Sequence, residues 1–148
     1  MHPAKKPERL PESEIVARVI NNFVVKHRKA RYLTMVAKPN ANGGYGFGEL
    51  AHFIPNLDLR FCHQIPSGSQ YVEHVLNEIK SITRSTECYI MHESHKLDGQ
   101  WMDIEDALRK ILGQNLGAFI IIDNGAIIYH ESENIRERYI GVRRSEFS

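Results

Sequence analysis

The stretch Ala118-Phe119-Ile120-Ile121-Ile122-Asp123-Asn124-Gly125-Ala126-Ile127-Ile128-Tyr129 decides the fold of this chain. Phe119 to Ile122 is apolar without alternation, the pattern of a strand buried on both faces. Asp123-Asn124-Gly125 between two apolar runs predicts a hairpin with a type I′ turn, because both central residues of that turn need positive φ. The chain then returns through Ile127, Ile128 and Tyr129.

Working back from the hairpin, Ile104, Ala107, Leu108, Ile111 and Leu112 repeat on one helical face, with Asp103 as N-cap and Gly113 as stop. Glu105 with Arg109 and Asp106 with Lys110 add i, i+4 pairs whose signs suit the helix dipole. A second helix carries Val72, Val75, Leu76, Ile79 and Ile82. The β-prone runs Tyr32 to Ala37, Leu59 to Ile65 and Cys88 to Met91 precede these helices at roughly equal intervals, and predict strands. At the front, Ile15, Val16, Val19, Ile20, Phe23 and Val24 mark an amphipathic helix over 13–28. Beyond the hairpin, Arg138 to Val142 predicts a last strand at the sheet edge. There Arg136, Arg138, Arg143 and Arg144 would discourage pairing with other chains, although the strand offers a route to a homodimer.

Strands alternating with helices predict one α/β domain over 13–148: a mixed sheet covered by helices, with an N-terminal amphipathic helix and a C-terminal β-hairpin. Residues 1–12 hold three of the six prolines and read as a flexible tail. The 42% hydrophobic and 25% charged fractions of the 148 residues are those of a globular domain. A formal net charge of +1 excludes an overall basic protein. Two cysteines are too few for a disulfide scaffold. The longest uninterrupted apolar run is far short of the roughly 18 residues that suggest a membrane span, so the chain reads as a cytoplasmic protein with no membrane partner.

Loops leaving the carboxyl ends of strands are the default ligand site of open parallel α/β sheets. They would gather Lys38, the Ser67-Gly68-Ser69-Gln70 segment and the His92-Glu93-Ser94-His95 cluster. Ser67 and Gln70 have capping-box spacing, and the amides of such a helix start suit an anion, with Lys38 as counter-charge. The plain alternative is a cap with no ligand. His92 and Glu93 offer acid–base chemistry, yet the i, i+3 histidine spacing of His92 and His95 is not that of a zinc protease. A metal would need a third ligand from His63, Cys62 or Cys88, so no metal site and no cofactor are expected. Gly43 to Gly48 fits neither the dinucleotide nor the P-loop glycine pattern and reads as a connector. Cys62 and Cys88 read as reduced core residues. Two basic tracts, Lys26, Arg28, Lys29 and Arg31 in one and Arg136, Arg138, Arg143 and Arg144 in the other, would contact nucleic-acid phosphates if they met in space. Their ordinary role is to neutralise helix ends.

The leading expectation is a non-catalytic domain that binds a phosphate-bearing small molecule or a protein partner at Lys38, Ser67, Gly68, Ser69 and His95. One alternative is a small hydrolase with His92 and Glu93 as acid and base. The other is a nucleic-acid-binding module using Lys26, Arg28, Lys29, Arg31, Arg143 and Arg144.

Overall fold

The computed structural model describes residues 8–37, 57–134 and 137–144. Among the described residues four helices flank one sheet: α1 Glu12–Phe23, α2 Lys26–Ala37, α3 Val72–Ile82 and α4 Ile104–Ile111. The strands are β1 Cys62–Gln64, β2 Glu87–His92, β3 Trp101–Asp103, β4 Ala118–Ile122, β5 Ile127–Glu131 and β6 Arg138–Val142. Their order is β1-β6-β5-β4-β2-β3, with every pairing antiparallel. The single α/β domain, the amphipathic N-terminal helix and the C-terminal hairpin are as the sequence leads one to expect. None of the described helices is long and apolar enough to cross a membrane.

Alternation along the strands divides the core into two layers. On one face, α1 and α2 set Ile15, Val19, Phe23, Tyr32 and Val36 against Tyr89, Met91, Phe119, Ile121, Ile128 and Tyr139. On the other, α3 and α4 set Val75, Ile79, Ala107, Leu108 and Ile111 against Cys88, Ile90, Ile120, Ile127, Tyr129 and Ile140. Helices on both faces explain why β4 is buried at every position.

Two expectations are corrected. Tyr32 to Ala37 is helical, not a strand. The first helix ends at Phe23 because Val24 turns extended to bridge Leu57, and the Asp58 N–H donates to the Phe23 carbonyl at 2.6 Å. A new helix starts at Lys26. Its residues are mostly good helix formers, and Tyr32 and Val36, four apart, bury one side of it. The strand Arg138–Val142 is not an edge. It lies between β1 and β5, and the edges are β1 and β3, each three residues long. Strand β6 therefore has no free side to pair across a dimer axis, and Arg138 faces the core; Arg136 lies outside the described residues.

The hairpin turn has the expected positive φ at its centre, but the ladder ends at Ile122 and Ile127, so four residues connect the strands and Asp123 also has positive φ, 52°. Asn124 (φ 55°, ψ 30°) and Gly125 (φ 104°) occupy its centre, and the Ala126 N–H donates to the Asp123 carbonyl at 3.2 Å. Helix α1 packs directly on this turn, so a Cβ on Gly125 would lie 2.9 Å from Arg18 Cβ and 3.2 Å from the Ile15 carbonyl oxygen. Gly113 also has positive φ, at 89°, but a Cβ there meets nothing within 4 Å. Gly125→Ala is expected to cost about 2 kcal/mol and Gly113→Ala only about 1 kcal/mol. Urea unfolding of the two variants measures the difference, and equal midpoints would contradict the docking of α1 on the turn.

The chain ahead of α1 is held from Glu8 onward, although its composition resembles a tail. The Leu10 N–H donates to Asn124 Oδ1 at 3.3 Å, and Asn124 Nδ2 donates to the Glu8 carbonyl at 2.9 Å. Arg9 pairs with Glu87 and lies 4.4 Å above the Trp101 ring.

Candidate functional site

Strands β1, β2 and β5 run in the same direction, although none of them is adjacent to another. The segments that follow β1 and β2 therefore lie at the same end of the sheet. Strands β6, β5 and β4 separate them, and a buried polar row crosses that interval on the α3/α4 face. The ladder aligns His92, Ala118, Glu131 and Arg138. Glu131 is fully buried. It accepts the N–H of Gly113 at 3.0 Å, the N–H of Asn115 at 2.9 Å and the Tyr129 hydroxyl at 2.7 Å. Arg138 Nε lies 3.3 Å from Glu131 Oε1, an ion-pair contact without hydrogen-bond alignment. Its two outer nitrogens donate to Gln70 Oε1 at 2.7 Å and Asn115 Oδ1 at 2.9 Å. Burial and the neighbouring Glu131 charge raise the Tyr129 pKa, so its hydroxyl stays a donor.

His92 ends this row at 1% exposure. The Ser94 N–H donates to its Nδ1 at 2.8 Å, which puts the proton of the neutral ring on Nε2, an atom without a partner. Burial lowers its pKa and opposes protonation. The Asp98 carboxylate accepts the His92 backbone N–H at 2.9 Å, and burial raises its pKa. At this exposure the ring is closed to a substrate. Glu93 is half-buried and His95 exposed.

Ser67, Gly68 and Ser69 form a three-residue 3-10 turn behind Pro66, and no capping box is made. Helix α3 begins later, at Val72. Gln70 instead turns inward, donating to the Ile65 carbonyl at 2.9 Å while it accepts from Arg138. Lys38 and the glycine stretch 43–48 lie outside the described residues. Cys62 and Cys88 are buried, and burial pushes both thiols up to about 12, as suits core residues. Among the described residues no group of histidines, cysteines and carboxylates is arranged for a metal ion.

The opposite end of the sheet is cationic. Arg143 and Arg144 follow β6 and diverge to opposite faces. Arg143 Nη1 donates to the Asn22 carbonyl at 3.2 Å, and Lys29 Nζ donates to the Asn21 carbonyl at 2.7 Å. The two basic tracts thus meet at the C-terminal end of α1, which has no basic residue in its own last turn. Exposed carbonyls and the helix dipole draw cations there. Arg143 also covers the Phe61 ring at 4.0 Å. Arg60 lies 5.3 Å from the same ring and donates to Asp58 at 3.0 and 2.7 Å; this bonding keeps the Asp58 pKa below its ordinary value. Lys26, Arg28 and Arg31 are exposed.

On the other face, a groove of about 490 Å³ is lined by Lys80, Ser81, Ile82, Thr83, Arg84, Ser85 and Arg144. Arg144 donates to the Ile82 carbonyl and stands 3.8 Å from Asp123. Thr83 and Ser85 both donate their hydroxyl protons to Asp123, and Ser81 donates to the Glu78 carbonyl. A second hollow of about 570 Å³ shares Lys80, Thr83, Arg84 and Ser85, has Leu76, Ile79 and Ile104 in its lining, and is closed on the α4 side by Asp103 and Glu105. Lys80 and Arg84 escape a motif search because they are 60 or more positions from Arg144 and belong to no recurrent spacing. Compared with protein-family models, curated proteins and solved structures, the chain matches none.

Proposed function

We propose that the protein is a non-catalytic binding domain for a phosphate-bearing ligand, held in the groove between the C-terminal end of α3 and the end of β6. The observation that carries this reading is the convergence of Lys80, Arg84 and Arg144 on one groove. Like charges gathered in this way repel one another, and an anion relieves that repulsion. Asp123, the carboxylate beside Arg144, already accepts from Thr83 and Ser85. The adjoining hollow, with Leu76, Ile79 and Ile104 in its lining, accommodates the uncharged part of the ligand. The lining chemistry supports binding rather than catalysis: the groove hydroxyls already donate to protein acceptors, and the described lining residues include neither histidine nor cysteine. The function stays that of the leading sequence expectation, while the site moves from the Ser67 and His92 end to the opposite one.

Isothermal titration calorimetry with pyrophosphate tests this reading. Each charge-assisted contact contributes about 1.5–3 kcal/mol, so Arg84→Ala with Arg144→Ala is expected to weaken binding by at least about tenfold. Arg109→Ala, exposed on α4 away from the groove, is expected to leave it unchanged. Absence of binding, or equal binding by the double variant, would overturn the assignment.

A further inference from the structure

We infer that the ligand is a nucleic-acid strand whose phosphates run from this groove, around the end of β6, to the corner between α1 and α2. The inference rests on the groove being an anion site and extends it. Arg143 and Arg144 are adjacent in the chain yet reach opposite faces, Arg143 to the end of α1 and Arg144 to the end of α3. Two residues therefore join the groove to the second basic cluster. Structural roles account for Lys29, Arg60, Arg143 and Arg144, each of which donates to a protein acceptor. They do not account for Lys26, Arg28, Arg31, Lys80 and Arg84, which are exposed and make no ion pair among the described residues. A lone phosphate would engage the groove and leave the corner idle, whereas a polyanion engages both.

The charge distribution favours the same ligand. The net charge of the whole chain is only +1, so a cationic end implies an acidic remainder. Glu93, Asp98, Glu133 and Glu137 stand at the far end of the sheet, where they repel a polyanion, while Asp103, Glu105 and Asp123 offset part of the positive charge at the groove. The guanidiniums of Arg60 and Arg143 over Phe61 lie beside the path, and planar groups of this kind suit stacking by unpaired bases.

Fluorescence anisotropy with a labelled single strand of about 20 nucleotides tests the inference. If about four phosphates are neutralised, affinity falls about fiftyfold between 50 and 200 mM salt, from the single-strand slope. Lys26→Ala with Arg28→Ala and Arg31→Ala, all exposed positions, is expected to weaken the strand at least tenfold and to leave pyrophosphate binding unchanged. Lys80→Ala with Arg84→Ala is expected to weaken both probes. If the strand binds no more tightly than pyrophosphate, or ignores the corner variant, the inference falls while the groove reading stands. If neither probe binds, the groove reading falls with it.

Discussion

Glu131→Ala is expected to destabilise the protein by about 3–5 kcal/mol, the usual cost of removing one partner from a buried ion pair. Glu131 is fully buried, and its two oxygens serve the amides of Gly113 and Asn115, the Tyr129 hydroxyl and the Arg138 guanidinium. Its removal strands two N–H groups and a hydroxyl, and leaves a buried cation with only the neutral acceptors Gln70 and Asn115. Asn115 itself sits at φ 57°, a conformation these bonds help to hold. Arg138→Met should be similarly damaging because it leaves the carboxylate uncompensated. The double variant Glu131→Leu with Arg138→Met is expected to recover at least about 2 kcal/mol relative to the sum of the singles, since apolar pairs often replace buried ion pairs without loss. Urea unfolding of the four proteins completes the cycle, and additive costs would contradict the coupling. The network stands at the opposite end of the sheet from the cationic groove, so the folded fraction of each variant should bind pyrophosphate like the parent.

What the sequence discloses here follows from how each element is encoded. The β4–β5 hairpin is legible because two signals coincide there, an unbroken apolar run and an Asn-Gly pair at positions of positive φ. Helix α4 is legible for the same reason: the Asp103 side chain accepts the Glu105 N–H, and Gly113 follows the last turn with φ 89°. Helix α2 is misread because Tyr32, Val36 and the residues between them are compatible with either periodicity over so short a run, and the break at Val24 depends on a distant partner, Leu57. Strand β3 is too short to show any period. Composition is a poor guide to Glu8–Pro11, whose anchors Asn124 and Glu87 are supplied from far along the chain.

The sites were hidden by the same long-range dependence. Placing the Ser67 and His92 segments at one end of the sheet needs only strand direction, and that expectation survives even though no two strands are parallel neighbours. Which side chains face one another needs register. Only the ladder shows that Glu131, inside an otherwise apolar hairpin strand, aligns with Arg138 and not with water. The signal available was a carboxylate at a core-facing position of a buried run, which is costly unless paired. The meeting of Lys29 with Arg143 at the end of α1 likewise required knowing that β6 is interior, and that its last residues pass beneath that helix.

Acidification should destabilise the wild-type protein by about 2–3 kcal/mol before most of its carboxylates protonate, and His130 is the main cause. Its side chain is fully buried between Phe119 and Tyr139 on neighbouring strands, with the Phe119 ring centroid 4.1 Å away. Neither ring nitrogen has an aligned hydrogen-bond partner, and the nearby Ala118 carbonyl compensates only weakly. Burial pushes the pKa down to about 3, against about 6.5 in the unfolded chain. Because the unfolded state takes up the proton first, the stability contribution is complete above about pH 6.5. It is lost as pH falls toward 3, at up to about 1.4 kcal/mol per unit. His92, whose pKa is lowered by burial, adds in the same direction. Asp98, whose pKa is raised by burial, opposes it. Leucine has nearly the volume of histidine and no polar atom, so His130→Leu should stay within about 1 kcal/mol of the parent at pH 7.5. At pH 4.5 it should exceed the parent by about 2–3 kcal/mol. Urea midpoints across this pH range decide the matter, and parallel curves for the two proteins would refute the role given to His130. Since His130 lies on the face that α1 and α2 cover, the parent should lose the α1–α2 corner on acidification through unfolding, and His130→Leu should retain it to lower pH.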